Sequence, residues 1–267
     1  MPLFLPRVIE KQIKALTDVP DAHRVVLEAW SKNLTGGLYD SETQNDGEFI
    51  QRILIDVLGY TGSSNGVAWS VAKNQPVGSG NVDVALGHFE AGATPEILAP
   101  FELKGAKTKD LDAIMAGRNK SPVQQAWEYA MDAKGAKWVL LSNYRTIRLY
   151  AVGYGRKDYE EFDLFTLTEP ANYHRFQLVL SAGNLLSGAT LRLLKDSDAA
   201  EKEITKELYQ QYKQTRLSLI EAIMPYVPQI HQFARVRGQR ARAPTYFLHS
   251  PCFASWRLEA DRERVTG

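Results

Sequence analysis

The chain has 267 residues, 44% of them hydrophobic and 24% charged, so it is long enough to bury a core as one large or two small domains of a soluble protein. Its formal net charge of +1 excludes a globally basic nucleic-acid binder and limits any DNA surface to a local patch. The single cysteine, Cys252, excludes a disulfide framework and a cysteine-based zinc site, and without a membrane-length apolar run or a signal-like start we expect a cytoplasmic protein.

Helical patterns occupy the first part of the chain. Two helices are predicted before residue 36, and a third from Glu42 to Leu58 repeats apolar pairs at helical spacing. Glu48 lies at the edge of this apolar stripe, where it could reach a metal site or serve as a solvated acid in the first turn. A short strand from Val67 to Ala72 follows, and then a turn segment from Asn74 to Asn81.

Two predicted strands lie between Asn81 and Lys104. Apolar and polar residues alternate in both, which places Glu102 and Lys104 on one face of the second strand. If the two strands pair, Asp83 of the first strand joins them on that face. Carboxylate oxygens are the ligands that Mg²⁺ prefers, so Asp83 and Glu102 predict a magnesium site, to which the Leu103 carbonyl could contribute. A lysine beside such a site can orient a water and offset charge on a phosphate. The alternative is a surface salt bridge on a half-exposed hairpin.

Basic and amphipathic segments follow this pair of strands. Lys107, Lys109 and Lys120 lie in a polar segment and are candidate phosphate contacts, although most such charge runs are solvated faces. Ser121 and Pro122 are a typical start for a helix that runs through Ala133. Gln125 and Tyr129, four residues apart, share one face of that helix, and the pair could support the site or pack the helix on the sheet.

The remaining elements predict an α/β fold with a mixed sheet and helices on both of its faces. The order of a helix, three strands, a helix and two strands gives an αβββαβ core that ends in a long carboxy-terminal helix. The later elements are strands at Lys137–Leu141, Arg145–Tyr150 and Glu161–Leu167, and helices at Tyr173–Leu186 and Ser197–Met224.

Several motifs in this order resemble the PD-(D/E)XK nuclease superfamily, which has a restriction-endonuclease-like fold. Asp83 followed by Glu102-Leu103-Lys104 is similar to the signature itself, with Asn81-Val82-Asp83 replacing the Pro-Asp form of the first motif. Gln125 to Tyr129 (QAWEY) matches the Q-x-x-x-Y element of many restriction enzymes. Trp138 to Tyr150 is similar to the strand pair that follows it in the same proteins.

The resemblance implies a DNA endonuclease that uses Mg²⁺, with Mn²⁺ as a substitute. Asp83 and Glu102 would bind the metal, Lys104 would assist hydrolysis, and Glu48 and Gln125 would support the site. The substrate would be double-stranded DNA, and no membrane partner is expected.

The chain is most similar to the amino-terminal nuclease domain of type IIG and related single-chain restriction–modification enzymes. It contains no glycine-rich S-adenosylmethionine loop and no Asn-Pro-Pro-Tyr-type tetrapeptide. A DNA adenine methyltransferase and recognition region would therefore be a separate or formerly fused partner. We expect the chain alone to cut DNA weakly, non-specifically or not at all.

Four segments follow from these patterns. They are an amino-terminal helical segment (1–40), a nuclease domain (41–195), a helical linker (196–228) and a basic tail (229–267), for which a non-native or disordered segment is one interpretation. Ala234 to Gly267 holds seven of the seventeen arginines and none of the fifteen lysines. One hypothesis is an arginine-rich nucleic-acid tail. The other, which we prefer, is that a frameshift or interrupted gene replaced the native continuation.

Two further interpretations compete with an active nuclease. The fold could persist as a catalytically inactive DNA-binding or scaffold remnant of a truncated restriction–methyltransferase protein. The chain could also be an anti-phage subunit that works only with a separate methyltransferase. Carboxylate-dependent binding of a divalent cation distinguishes the active enzyme from the inactive remnant.

Overall fold

The computed structural model describes residues 2–13, 18–39, 42–115 and 117–226. Within these ranges the α-helices are α1 (Pro6–Ile13), α2 (Asp21–Thr35), α3 (Glu42–Phe49), α4 (Pro122–Asp132), α5 (Pro170–Leu180), α6 (Ala182–Leu185) and α7 (Ala189–Ile223). A π-helix, Ile50–Val57, continues α3. The strands are β1 (Ala68–Val77), β2 (Gly80–Glu90), β3 (Glu96–Leu103), β4 (Trp138–Ser142), β5 (Thr146–Ala151) and β6 (Glu160–Asp163).

These strands form a six-stranded mixed sheet in which the spatial order follows the chain, from β1 to β6. β3 and β4 are parallel, and every other neighbouring pair is antiparallel. Two parallel neighbours need a crossover connection, and here α4 supplies it between β3 and β4. The α/β class and the mixed sheet expected from the sequence are confirmed.

Side-chain alternation divides the core between the two faces of this sheet. On one face Phe101 and Leu103 of β3 join a large buried cluster that also takes in Trp30 of α2. On the other face Leu141 of β4 packs in a smaller cluster with Trp127 of α4. The period of two along each strand therefore decides which residues meet which helices.

The amino-terminal helices belong to the same core as the sheet. Phe4, Ile9 of α1 and Leu27 of α2 are buried in the large cluster. The indole Nε1 of Trp30 in α2 donates a hydrogen bond of 2.9 Å to the carbonyl of Tyr144, in the turn after β4. The segment before residue 40 thus packs against the part of the chain that carries the sheet.

The chain divides into two compact units, residues 1–204 and 205–267. Of the second unit the structure describes residues 205–226, which are the end of α7 and one 3₁₀ turn, Met224–Tyr226. The tail expected at Ala234 to Gly267 lies outside the described residues. None of the helices in the described ranges has the length and hydropathy needed to cross a bilayer.

Candidate active site

The candidate site lies where β3 ends beside the start of β2. The antiparallel pairing of the two strands ends with Val84 opposite Phe101. One residue further in the same register, Asp83 lies opposite Glu102. Directly opposite residues of an antiparallel pair project from the same face of the sheet. The Asp83 carboxylate also reaches across the pair, since its Oδ2 accepts a 2.8 Å hydrogen bond from the Leu103 N–H.

Lys104 completes this group from the position directly after β3. Its Nζ lies 2.5 Å from Oε1 of Glu102 and donates a hydrogen bond to it. Glu102 is 1% exposed and Lys104 is 2% exposed, whereas Asp83 is half-buried. Asp83, Glu102 and Lys104, the three residues predicted to be catalytic, therefore occupy adjacent positions, and Asp83 is the one that solvent reaches most easily.

The neighbouring strand β4 holds the end of β3 in place. The Lys104 N–H donates a 2.8 Å hydrogen bond to the carbonyl of Ser142, the last residue of β4. The Ser142 hydroxyl in turn donates to the Thr146 carbonyl at 2.8 Å and accepts from the Tyr144 N–H at 3.0 Å. The backbone on which Lys104 sits is thereby tied to the β4–β5 turn.

Helix α4 covers this face of the sheet. Glu102 pairs with Leu141, which packs against α4 in the smaller cluster, so Glu102 and Lys104 lie on the α4 side. The helix begins with a capping box, in which the Ser121 hydroxyl accepts from the Gln124 N–H and the Gln124 side chain accepts from the Ser121 N–H. Such a reciprocal cap fixes where the helix starts and therefore where its later residues lie.

The structure gives different surroundings to Gln125 and Tyr129 of α4. Gln125 is half-buried, and its Oε1 lies 3.3 Å from the Arg118 guanidinium, which donates a hydrogen bond to it. Tyr129 packs against the β1–β2 hairpin, because a Cβ at Gly80 would lie 3.3 Å from its ring. Gln125 is thus oriented by a cation, and Tyr129 joins the helix to the strand that carries Asp83.

Glu48 lies on the exposed side of α3. Its carboxylate forms an ion pair of 3.1 Å with Arg52, one helical turn further on. By contrast, Asp46 of the same helix is buried, at 8% exposure. Asp46 accepts a 2.5 Å hydrogen bond from the Tyr144 hydroxyl and lies 3.5 Å from the Lys73 ammonium.

Asp46 and its partners lie on the side of the large cluster. Lys73 pairs in register with Val84, a residue of that cluster, so the two side chains share the face opposite to α4. Sequence reasoning singled out Glu48 as a supporting residue and did not identify Asp46 as the buried one of the two acids. The available signal was spacing, because Asp46 precedes the buried Phe49 and Ile53 by three and seven residues and so belongs to their stripe.

The predicted phosphate-contacting lysines are spread along the surface. Lys107 and Lys109 are exposed in the loop after β3. Lys120, close to the start of α4, lies 2.5 Å from Glu128 of that helix and forms an ion pair with it. An exposed pair of this kind contributes little to stability and can exchange its partner for a phosphate.

The donors at the site fit a divalent cation in their chemistry. Mg²⁺ is commonly held by one or two carboxylates and completes its shell with water and substrate phosphates. Asp83 and Glu102 offer two carboxylates on facing positions, and the Leu103 N–H and Lys104 each fix the orientation of one of them. Over the described ranges there is no cluster of three or more His, Cys, Asp or Glu residues that could hold a metal.

Comparison with known proteins does not assign the chain to a family. No family model matches it, and no curated protein or solved structure does so either.

Proposed function

We propose that this protein is a magnesium-dependent endonuclease that hydrolyses phosphodiester bonds of double-stranded DNA. The observation that carries the proposal is the arrangement of Asp83, Glu102 and Lys104, with two carboxylates on facing strand positions and an ammonium 2.5 Å from one of them. The D…ExK spacing and the Q-x-x-x-Y element on α4 support it. By the same resemblance, the enzyme would belong to a type IIG-like restriction–modification system with an adenine methyltransferase partner.

The roles of the residues follow from their charges and positions. Asp83 and Glu102 would hold the cation, and the chemistry that such a cation supplies is Lewis-acid stabilisation of charge on phosphate oxygens. Lys104 would donate hydrogen bonds to the attacking water or to the phosphate, where its charge opposes the negative charge that develops during attack. Low dielectric around buried groups strengthens both effects.

A second candidate, an inactive DNA-binding or scaffold module with the same fold, is favoured by the burial of the Glu102–Lys104 pair. At 1% and 2% exposure, these side chains form a buried ion pair that is almost closed to solvent. A catalytic role requires that substrate and cation reach them from the half-buried Asp83 side. Activity and ion binding together separate the two candidates.

The test is nicking of supercoiled plasmid by the full chain in Mg²⁺ or Mn²⁺, compared with Asp83→Asn. We expect weak, non-specific nicking by the wild type and a loss of at least about a hundredfold in the variant, because one of the two carboxylates is gone. The substitution is mild for folding, since an amide oxygen can still accept from the Leu103 N–H. Lys104→Ala is a poorer test, because removing one member of a buried ion pair costs about 3–5 kcal/mol of stability.

Glu90→Gln is the matched control, since Glu90 is an exposed acid on the same strand as Asp83. It should nick at the wild-type rate. Equal nicking by wild type and Asp83→Asn would overturn the assignment of Asp83. Absence of nicking together with absence of Mg²⁺ or Mn²⁺ binding by calorimetry would favour the inactive module instead.

A further inference from the structure

A polar cleft of about 370 Å³ lies beside the candidate site. It is lined by Lys109, Asn143, Arg145, Thr146, Arg148 and Glu161, among others. One wall is the loop after β3, and the other consists of the β4–β5 turn together with residues of β5 and β6. A hydrogen bond of 2.8 Å from the Asn143 amide to the Thr108 carbonyl joins the two walls.

The cations of this cleft differ in how far their charge is balanced. Arg148 lies between two acids, at 2.8 Å from Asp112 and 2.6 Å from Glu161. Burial lowers the pKa of Arg148, but its hydrogen bonds to these acids raise the pKa above its ordinary value overall. Arg148 is therefore a permanently charged and neutralised member of the wall.

Lys109 and Arg145 differ from Arg148 in this respect. Both are exposed, and within residues 2–13, 18–39, 42–115 and 117–226 neither forms an ion pair. The Arg145 guanidinium is nonetheless held in one direction, since it lies 5.1 Å from the centroid of the Phe165 ring. The Arg145 backbone is fixed as well, because its N–H donates to the Asn143 side chain at 3.2 Å and its carbonyl accepts from the Leu164 N–H at 2.9 Å.

The backbone connects the cleft directly to the candidate site. Ser142 accepts the hydrogen bond from the Lys104 N–H, and Asn143, the next residue, lines the cleft. Lys109 follows Lys104 by five residues in the loop on the other wall. The cleft and the backbone that carries Lys104 therefore belong to one hydrogen-bonded part of the fold.

We propose that Lys109 and Arg145 bind a backbone phosphate of the duplex DNA substrate next to the cleaved one. Arginine and lysine side chains are common donors to DNA phosphates, and such contacts fix the register of the duplex without reading its sequence. The inference rests on the proposed nuclease function for the choice of DNA as the ligand. It adds Arg145, which the sequence motifs do not single out, as a residue that positions the substrate.

The test is the salt dependence of binding of a short fluorescent duplex to the full chain in EDTA, where cleavage cannot occur. Each phosphate contact contributes about 0.9 to the slope of log K against log salt concentration. Arg145→Gln and Lys109→Gln should each weaken binding several-fold and flatten this slope. Arg145→Lys, which retains the charge, should restore most of it, and Arg192→Gln, an exposed arginine on α7, should behave as wild type.

The outcomes separate this inference from the proposed function. Unchanged affinity and slope in both glutamine variants would overturn the cleft assignment, even if nicking still depended on Asp83. An absence of duplex binding by the wild type, or binding of inorganic phosphate alone, would overturn it as well. If the slopes change as expected but the protein never nicks DNA, the cleft assignment holds and the proposed nuclease function is wrong.

Discussion

Tyr144 is the residue through which the turn after β4 contacts two amino-terminal helices. Its hydroxyl donates to Asp46 of α3 at 2.5 Å, and its carbonyl accepts from Trp30 of α2 at 2.9 Å. The ring is fully buried, with its centroid 5.4 Å from that of Phe49. Its φ of +64° lies in the left-handed region, which a bulky residue adopts only when its surroundings hold it there.

We expect Tyr144→Phe to lower the free energy of unfolding by about 1.5–3 kcal/mol, because the buried Asp46 carboxylate loses a hydrogen-bond donor. The loss is measured by urea denaturation followed by circular dichroism. Tyr154→Phe is the matched control, since the Tyr154 hydroxyl also donates to an acid, Asp198, but the residue is exposed. It should cost less than about 1 kcal/mol. Similar losses in both variants would show that burial of the Tyr144–Asp46 contact is not what matters.

At the residue scale, the sequence predicts which face of a strand a side chain occupies better than it predicts how deeply that side chain is buried. Alternation along β3 indicates that Glu102 and Lys104 share a face, and the structure joins them by a hydrogen bond. Their burial depends on packing of β3 against α4, which comes from a later part of the chain, so no local pattern reports it. For the same reason the exposed Glu48 looks as promising as the buried Asp46 until the contacts of α3 are known.

The strand pair that carries Asp83 and Glu102 contains an irregularity between Leu86 and Gly87 of β2. At Gly87 the neighbouring strand comes very close, since a Cβ built there would lie 2.0 Å from the carbonyl oxygen of Glu96. The obstructing atom belongs to the backbone of β3 and cannot rotate away. A side chain at this position therefore forces the two strands apart.

Gly87→Ala should lower the free energy of unfolding by at least about 1–3 kcal/mol, as overpacking of a buried position does. The measurement is the urea midpoint at a constant slope of free energy against urea. Gly47→Ala in α3 is the control, because nothing lies within 4 Å of the added Cβ. Alanine in a helix is favoured over glycine, so this variant should gain about 0.5–1 kcal/mol. A wild-type midpoint for Gly87→Ala would mean that β2 and β3 pair differently here.

The elements that sequence predicts well are those with a strong period and clear ends. The helix expected from Ser121–Pro122 is found at Pro122–Asp132, with the expected cap. The proline and glycine residues after Asn74 predict a turn there, but β1 continues to Val77. Pro76 is tolerated because β1 is an edge strand, where a missing N–H breaks no ladder on the outer side.

Continuous apolar patterns also hide breaks between helices. The helix expected from Tyr173 to Leu186 ends at Leu180, and Ser181 has an extended ψ of 146° before α6 begins. The Ala182 N–H donates to the Leu58 carbonyl at 2.9 Å, a tertiary contact that no local sequence pattern encodes. The apolar residues of α6 continue the spacing of α5, so the break is visible only in the folded chain.

On the scale of the whole molecule, the last buried residues lie well before the end of the described part of the chain. Among the described residues the last buried one is Ser197, although α7 continues to Ile223. The buried part of α7 includes Leu193 and Leu194, which belong to the large cluster. The division of the chain into units at Ile204 follows this loss of buried contacts.

A chain that ends at Ile204 should therefore keep the urea midpoint of the full protein, because it retains the described core. A chain that ends at Gly188 is the contrasting variant, since it loses Leu193 and Leu194 together with the 2.8 Å hydrogen bond from Thr190 to the Val179 carbonyl. Burial of each leucine contributes about 1.5–3 kcal/mol, so this shorter chain should lose at least about 3 kcal/mol or fail to fold. If the chain ending at Ile204 lost as much free energy of unfolding, residues 205–267 would contribute to the stability of the first unit, and this prediction would be wrong.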